Sequence, residues 1–118
     1  MTNFEKFIEI VKNNIGSYSD KYGSKDIQLC LVDNNGRLNI EVLCDYSIEE
    51  EIKVKDLKGI FKPVAFIIEN KIISLLSKYK SKYANPKCML SIEDGKVIAI
   101  LYNDAEPIGL LDVSKLID

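Results

Sequence analysis

Apolar residues recur at helical spacing from the fourth residue of the chain onward. The segment Thr2-Asn3-Phe4-Glu5 has the pattern of a capping box, in which Thr2 and Glu5 satisfy each other's backbone amides. Polar residues fill the positions between the apolar ones, which predicts an amphipathic helix with one buried stripe. The stripe consists of Phe4, Phe7, Ile8, Val11 and Ile15. We expect Gly23 to end this helix.

A second apolar stretch begins after Pro63, whose missing amide suits the first turn of a helix. The stretch predicts a helix that runs to about Tyr83 and is terminated by Asn85-Pro86. Its apolar residues cover most of the helix circumference, so we expect it to be buried on more than one side. They are Val64, Phe66, Ile67, Ile68, Ile72, Ile73, Leu75, Leu76 and Tyr79. Residues 55–59, which precede this helix, are expected to form a short connector.

Two hairpins are predicted by Asn35-Gly36 and Asp94-Gly95, because such pairs adopt the positive φ angles of a tight turn. Each turn sets the register of its strands. On one face the first hairpin then pairs Leu31 with Ile40, Leu29 with Val42, and Ile27 with Cys44. The second pairs Ile92 with Val97, Leu90 with Ala99, and Cys88 with Leu101.

A third strand is expected after each hairpin, near residues 50–54 and near residues 108–113. In the first of these, Ile52 and Val54 are expected to point inward, and Glu51 and Lys53 outward.

The second half of the chain repeats the landmarks of the first about 60 residues later. Tyr18 and Tyr22 recur as Tyr79 and Tyr83, and the two glycine turns follow in the same order. This repetition predicts a duplicated αβββ unit, with pseudo-repeats at about 1–59 and 60–118. The 118 residues are expected to form a single α+β domain, with an antiparallel, largely meander sheet and two long helices packed on one face.

The second hairpin is apolar on both of its faces, unlike the first. Its reverse face carries Met89, Ile98, Ile100 and Tyr102, whereas the first hairpin places Asn39 and Glu41 there beside Cys30, Val32 and Leu43. Two helices cover only one side of a six-stranded sheet, so we expect those four residues to bind a protein partner or a second copy in a homodimer. The alternative is that the sheet curls, or the second helix packs centrally, and the monomer covers both faces.

Composition narrows the classes of partner and chemistry. The chain has 16 basic and 18 acidic residues, and Arg37 is its single arginine, so specific nucleic-acid binding is not favoured. Lysines and tyrosines alternate over residues 78–83, but lysines at a helix end and tyrosines anchoring that end explain this pattern. No apolar stretch approaches a membrane span, and the N-terminus does not resemble a secretion signal, so we expect a cytoplasmic protein without membrane contact.

Few residues of the chain suggest a catalytic or metal-binding site. We therefore expect that the protein is not an enzyme and binds neither a cofactor nor a metal. Histidine is absent, which removes the most common general base and metal ligand. Three cysteines, Cys30, Cys44 and Cys88, lack metal-ligand spacing and are expected to be buried and reduced. The acidic segments 49–51 and 104–106 are expected to be solvated loops, with a divalent-cation site as the alternative.

The order of elements resembles that of roadblock-type adaptor domains and of type III secretion chaperones, although the strand near 50–54 is an addition to that order. Proteins of both kinds place helices beside an antiparallel sheet and work as dimers. The resemblance and the apolar hairpin face favour a protein-interaction module, of an adaptor, chaperone-like or immunity-like type. The alternative is a small-ligand or nucleotide-binding domain. Its pocket would lie between the second helix and the sheet or at a dimer interface, bounded by Tyr79, Tyr83 or Tyr102.

Overall fold

The chain folds into two layers, a six-stranded antiparallel sheet and a set of helices on one of its faces. The computed structural model describes residues 1–24, 26–45, 47–52 and 54–117, without the side chains of residues 49, 52 and 54–56. Its helices and strands are α1 (Asn3–Tyr22), β1 (Ile27–Asn34), β2 (Arg37–Cys44), β3 (Ser47–Ile52), α2 (Val54–Ile60), α3 (Ala65–Tyr79), β4 (Pro86–Glu93), β5 (Lys96–Asn103) and β6 (Glu106–Leu111). A short 3₁₀ helix, Val113–Leu116, follows. The strand order is β3-β2-β1-β4-β5-β6, which confirms the predicted α+β class.

Helix α1 forms as the sequence predicts. The Glu5 amide donates to Thr2 Oγ1 at 3.1 Å, and the Thr2 amide donates to Glu5 Oε1 at 3.1 Å, so the capping box is closed in both directions. Gly23 ends the helix with a φ of 65°, a left-handed conformation that costs glycine little. The buried stripe consists of Phe7, Val11 and Ile15, with Phe4 and Ile8 partly buried beside it.

Both hairpins have the predicted registers, and every predicted facing pair is present. Asn35 and Gly36 have φ angles of 55° and 85°, and Asp94 and Gly95 have 51° and 76°. The carboxylate of Asp33 accepts a hydrogen bond from the Gly36 amide at 2.8 Å and also binds Lys80, just after α3. This contact fixes the first turn against the helix layer.

The segment between the two halves differs from its prediction. Residues 54–60 form helix α2 rather than a connector, so Val54 belongs to that helix and not to the third strand. The third strands also lie earlier than predicted, at Ser47–Ile52 and Glu106–Leu111. The predicted outward position of Lys53 lies outside the described residues. Ile52 pairs with Ile40 in the register of β2 and β3.

Helix α3 is shorter and less buried than its sequence predicts. It ends at Tyr79 rather than Tyr83, and Pro63 lies in the turn before it instead of in its first turn. Its buried residues, Ala65, Ile68, Ile72 and Leu76, form a single stripe. Ile67, Ile73, Leu75 and Tyr79 are partly buried against the same core, whereas Phe66 remains 74% exposed, so the predicted burial on more than one side is only partial. The apolar content of this helix exceeds what one sheet face can cover.

The two halves of the sheet meet at β1 and β4 and follow the same backbone plan. Strands β1, β2 and β3 have the same lengths as β4, β5 and β6, which start 59 residues later. The turn residues with positive φ recur at that interval, and so do the irregularities in pairing after Val42 and after Leu101. Cys30 pairs with Met89, its own equivalent, so an approximate twofold axis passes through this pair. A duplication of the unit stays a prediction, but the repeated plan is a property of the fold.

The core between the helices and the sheet should depend on Leu90, which is fully buried in β4 beside Leu29 of β1. We expect Leu90→Ala to lower the free energy of unfolding by about 3 kcal/mol, because a buried cavity is created. The matched change Leu110→Ala removes a side chain that is 78% exposed, and we expect it to cost about 0.5 kcal/mol or less. Urea denaturation followed by circular dichroism measures both. Equal losses would contradict the layer assignment.

Candidate functional site on the open sheet face

The face of the sheet away from the helices carries its own apolar cluster, and we call it the open face. Cys30, Leu43 and Met89 are buried in this cluster, and Val32 and Tyr102 are partly buried against them. All five residues lie in strands. The main core contains the helix residues together with the alternate strand positions. Among the described residues, therefore, strand side chains alone form the open-face cluster.

Irregular strand pairing shapes this face into a groove. The pairing of β2 with β3 shifts between Val42 and Leu43, and that of β5 with β6 shifts between Leu101 and Tyr102. Such bulges bend a strand and increase its twist. The groove that results has a volume of about 520 Å³. Cys30 and Met89 lie on its floor, Leu43 and Ile48 line the side of β2 and β3, and Tyr102, Ala105 and Pro107 line the side of β5 and β6.

Charged side chains lie around this apolar floor, and most are acidic. Glu41, Lys87 and Asp104 line the groove. Glu51 lies directly opposite Glu41 in the register of β2 and β3, and the Asn39 amide donates to Glu51 Oε1 at 3.2 Å. Two like charges opposite each other destabilise a strand pair, so this arrangement is not explained by stability. Lys87 is the single cation that lines the groove among the described residues.

The four residues that the sequence selected for partner binding lie together on the open face. Met89, Ile98, Ile100 and Tyr102 line a second, smaller cavity of about 280 Å³. Met89 is buried, with 6% of its surface exposed, and the other three are half-buried. The remaining lining residues are Asp26, Ile27, Gln28, Ser91, Ile92 and Glu93. The juxtaposition is thus present, and the binding of a partner there stays a prediction.

The three tyrosines of the alternative prediction do not bound a common pocket. Tyr79 packs against the main core on the helix side, whereas Tyr102 belongs to the open-face cluster. The rings of Tyr79 and Tyr83 lie 6.4 Å apart, and the Lys82 ammonium lies 5.6 Å from the centre of the Tyr83 ring. Tyr79 and Tyr83 therefore contact neighbours within their own segment.

Only one of the two acidic segments contains the solvated loop that the sequence predicts, the exposed turn of Asp104 and Ala105 between β5 and β6. Residues 49–51 lie within β3, and the residue equivalent to Asp104 is Asp45. Glu50 faces the helices, where it accepts a hydrogen bond from the Tyr22 hydroxyl at 3.4 Å and lies 3.6 Å from Lys21. No group of three possible ligands for a metal ion occurs among the described residues.

The cysteines are free and buried, as the sequence predicts. Burial raises the pKa of the Cys30 thiol to about 12, because the thiolate would lose its hydration. The same cause raises the pKa of Cys88 to about 12. Both thiols stay protonated near neutral pH and are poor nucleophiles. The Cys30 sulfur thus contributes apolar, polarisable surface to the groove floor.

The sequence did not reveal most of the groove walls, or the buried glutamine of the smaller cavity. Leu43 shares a side with Cys30 in the predicted register, which was a usable signal. Ile48 and Pro107 face the groove only because the strands bulge. No residue pattern in the sequence predicts these bulges. Gln28 was not among the residues that the sequence pattern selected, and its side chain is buried on the open face.

Comparisons with protein-family models, with curated proteins and with solved structures find no match for this chain. Among the described helices, none has both the length and the apolar content that crossing a membrane requires.

The burial of the thiols gives a direct chemical prediction. At about pH 8 we expect Ellman's reagent to react with Cys30 and Cys88 far more slowly in the folded protein than in urea, because the thiolate fraction is small and access is blocked. Absorbance of the released thiolate measures the rate, and the urea-unfolded protein is the control. Rapid reaction of all three cysteines in the folded protein would show that the groove floor is open to reagents.

Proposed function

We propose that this chain is a non-enzymatic protein-interaction module that binds a partner protein through the open face. The observation that carries the proposal is the open-face cluster, a set of apolar strand residues that no described helix covers. Cys30, Leu43 and Met89 are themselves buried, but Ile98, Ile100 and Tyr102 beside them are half-buried and leave apolar surface exposed on this face. Exposed apolar surface on a small domain is typical of an interaction site. The groove supports the same conclusion, because its apolar floor and charged margin have the arrangement of a protein interface.

The titratable groups support a non-enzymatic function. The thiols of Cys30 and Cys88 have raised pKa values and are shielded. Among the carboxylates, the pKa values of Glu5 and Asp112 are lowered, and both groups cap helices by accepting backbone hydrogen bonds. Neither thiol is therefore suited to nucleophilic chemistry, which agrees with a function in recognition.

Charge favours a partner with basic side chains over a second copy of this chain. Glu41, Glu51 and Asp104 lie on or beside the groove, against a single lysine, Lys87. Two open faces packed together would bring carboxylates towards carboxylates, which is costly at an interface. A basic and apolar segment of another protein complements both features of this face. The homodimer expected from the sequence is thus the weaker form of the proposal.

Small-ligand binding is the second candidate. The groove volume of about 520 Å³ lies within the range of small-molecule sites, and its lining is largely apolar with a few polar groups. This position differs from the pocket beside Tyr79 that the sequence suggested. A thermal-shift screen with nucleotides, apolar acids and apolar amines tests small-ligand binding. A ligand that raises the unfolding temperature of the wild type, but not that of Met89→Lys, supports this second candidate.

The main proposal is tested with peptides displayed on phage and selected against the immobilised full chain. We expect the recovered peptides to combine basic and apolar residues and to bind Ile100→Asp at least about tenfold more weakly than the wild type, because the change places a carboxylate on the apolar face. The matched control is Phe66→Asp, which makes the same kind of change at an exposed residue of α3 on the helix side. Calorimetry with synthetic peptides measures the affinities.

Three results would contradict this proposal. The first is a set of peptides whose affinity is unaffected by Ile100→Asp, and the second is a set that is sensitive to Phe66→Asp instead. The third comes from sedimentation velocity. A stable dimer that Ile100→Asp dissociates would assign the open face to a second copy.

A further inference from the structure

The smaller cavity on the open face contains a buried polar group without a partner. Gln28 is only 7% exposed, and its Nε2 donates a hydrogen bond to the carboxylate of Asp26. Its Oε1 is buried and accepts no hydrogen bond. A buried acceptor without a donor is costly, and native structures rarely retain one without a functional or structural reason. Gln28 is one of the residues that line the cavity.

The other polar groups of the cavity are carboxylates and hydroxyls. Asp26 and Glu93 contribute carboxylates, and Ser91 contributes a hydroxyl. Lys96 lies opposite Glu93 in the hairpin register, but these two described residues do not form an ion pair. Among the described residues no cation lines the cavity. The site therefore lacks a positively charged hydrogen-bond donor.

The remaining wall is apolar and aromatic. Met89, Ile98 and Ile100 line it together with the ring of Tyr102. A lysine or arginine side chain joins an apolar stem to a charged head, so it suits a cavity with one apolar side and one acidic side. An aromatic ring adds a favourable contact to such a cation. The volume of about 280 Å³ is small, and it suits one side chain better than a whole cofactor.

We propose that this cavity, built around the unpartnered Oε1 of Gln28, receives a lysine or arginine side chain of the partner protein. The inference rests on the proposed function, and it names the chemistry that the partner presents at one end of the open face. The partner's ammonium or guanidinium donates to Gln28 Oε1 and faces the carboxylates of Asp26 and Glu93. Its methylene stem lies against Ile98 and Ile100.

The cavity is tested with a small mimic of an arginine side chain. The probe is n-butylguanidinium, and N-butylurea of nearly the same shape but no charge is the control. We expect butylguanidinium to bind the full chain with a dissociation constant on the order of millimolar, and butylurea at least about tenfold more weakly. Nuclear magnetic resonance of labelled protein measures both, through the backbone amides of Gln28 and Ser91 and the side-chain amide of Gln28.

Variants separate this site from the general acidity of the open face. Gln28→Met keeps the length of the side chain and removes the acceptor, so we expect butylguanidinium binding to be lost while the unfolding temperature stays unchanged or rises. Asp26→Asn should weaken binding about tenfold. Glu41→Gln, which changes a carboxylate of the groove outside this cavity, should leave the affinity within about twofold. Binding that survives Gln28→Met, or that depends equally on Glu41, overturns the inference.

Peptides distinguish a failure of this inference from a failure of the proposed function. If selected peptides bind the open face but tolerate replacement of every basic residue by norleucine, the interaction module stands and the basic-side-chain site is wrong. If butylguanidinium binds as expected but no peptide is selected, the cavity binds a free cationic molecule. That result overturns both the docking of a partner side chain in the cavity and the proposed function.

Discussion

The pairing of β1 with β4 is the constraint on which the rest of the molecule depends. It joins the two halves through Leu29 with Leu90, Cys30 with Met89, and Leu31 with Cys88. Successive side chains of a strand point to opposite faces, so the leucines and Cys88 enter the helix-side core while Cys30 and Met89 point away from it. The same ladder therefore creates the core and the apolar floor of the groove. A slip of one residue would exchange the two faces.

The halves share a backbone plan but differ in the side chains that they present on the open face. Positions 59 residues apart hold Asn39 and Ile98, Glu41 and Ile100, and Glu51 and Leu110. The first half is thus polar and acidic where the second is apolar, and the approximate twofold axis relates unlike surfaces. A partner that lies across this face would contact acidic side chains in the first half and apolar side chains in the second. In the proposed complex this asymmetry would fix the direction of the partner, since reversal would place its apolar residues against carboxylates.

Local physical chemistry explains which features the sequence predicted. The capping box at Thr2, the turns at Gly36 and Gly95 and the strand registers beside them depend on neighbours within a few residues, and all were confirmed. Features set by distant contacts were missed. Helix α2 lacked a clear pattern, the bulges near Leu43 and Tyr102 leave no mark in composition, and the unpartnered state of Gln28 depends on surroundings from several strands. The face of the candidate site was predictable, and its shape was not.

The central claim is that the open face of the free protein is accessible and is covered neither by the chain itself nor by a second copy. Paramagnetic relaxation by a neutral gadolinium chelate tests it most directly, read from the isoleucine methyl groups of dilute protein. The account predicts strong relaxation of Ile98 and Ile100, both half-buried on the open face, and weak relaxation of Ile72, which is fully buried on the core side of α3. Relaxation of Ile98 and Ile100 as weak as that of Ile72 would contradict it.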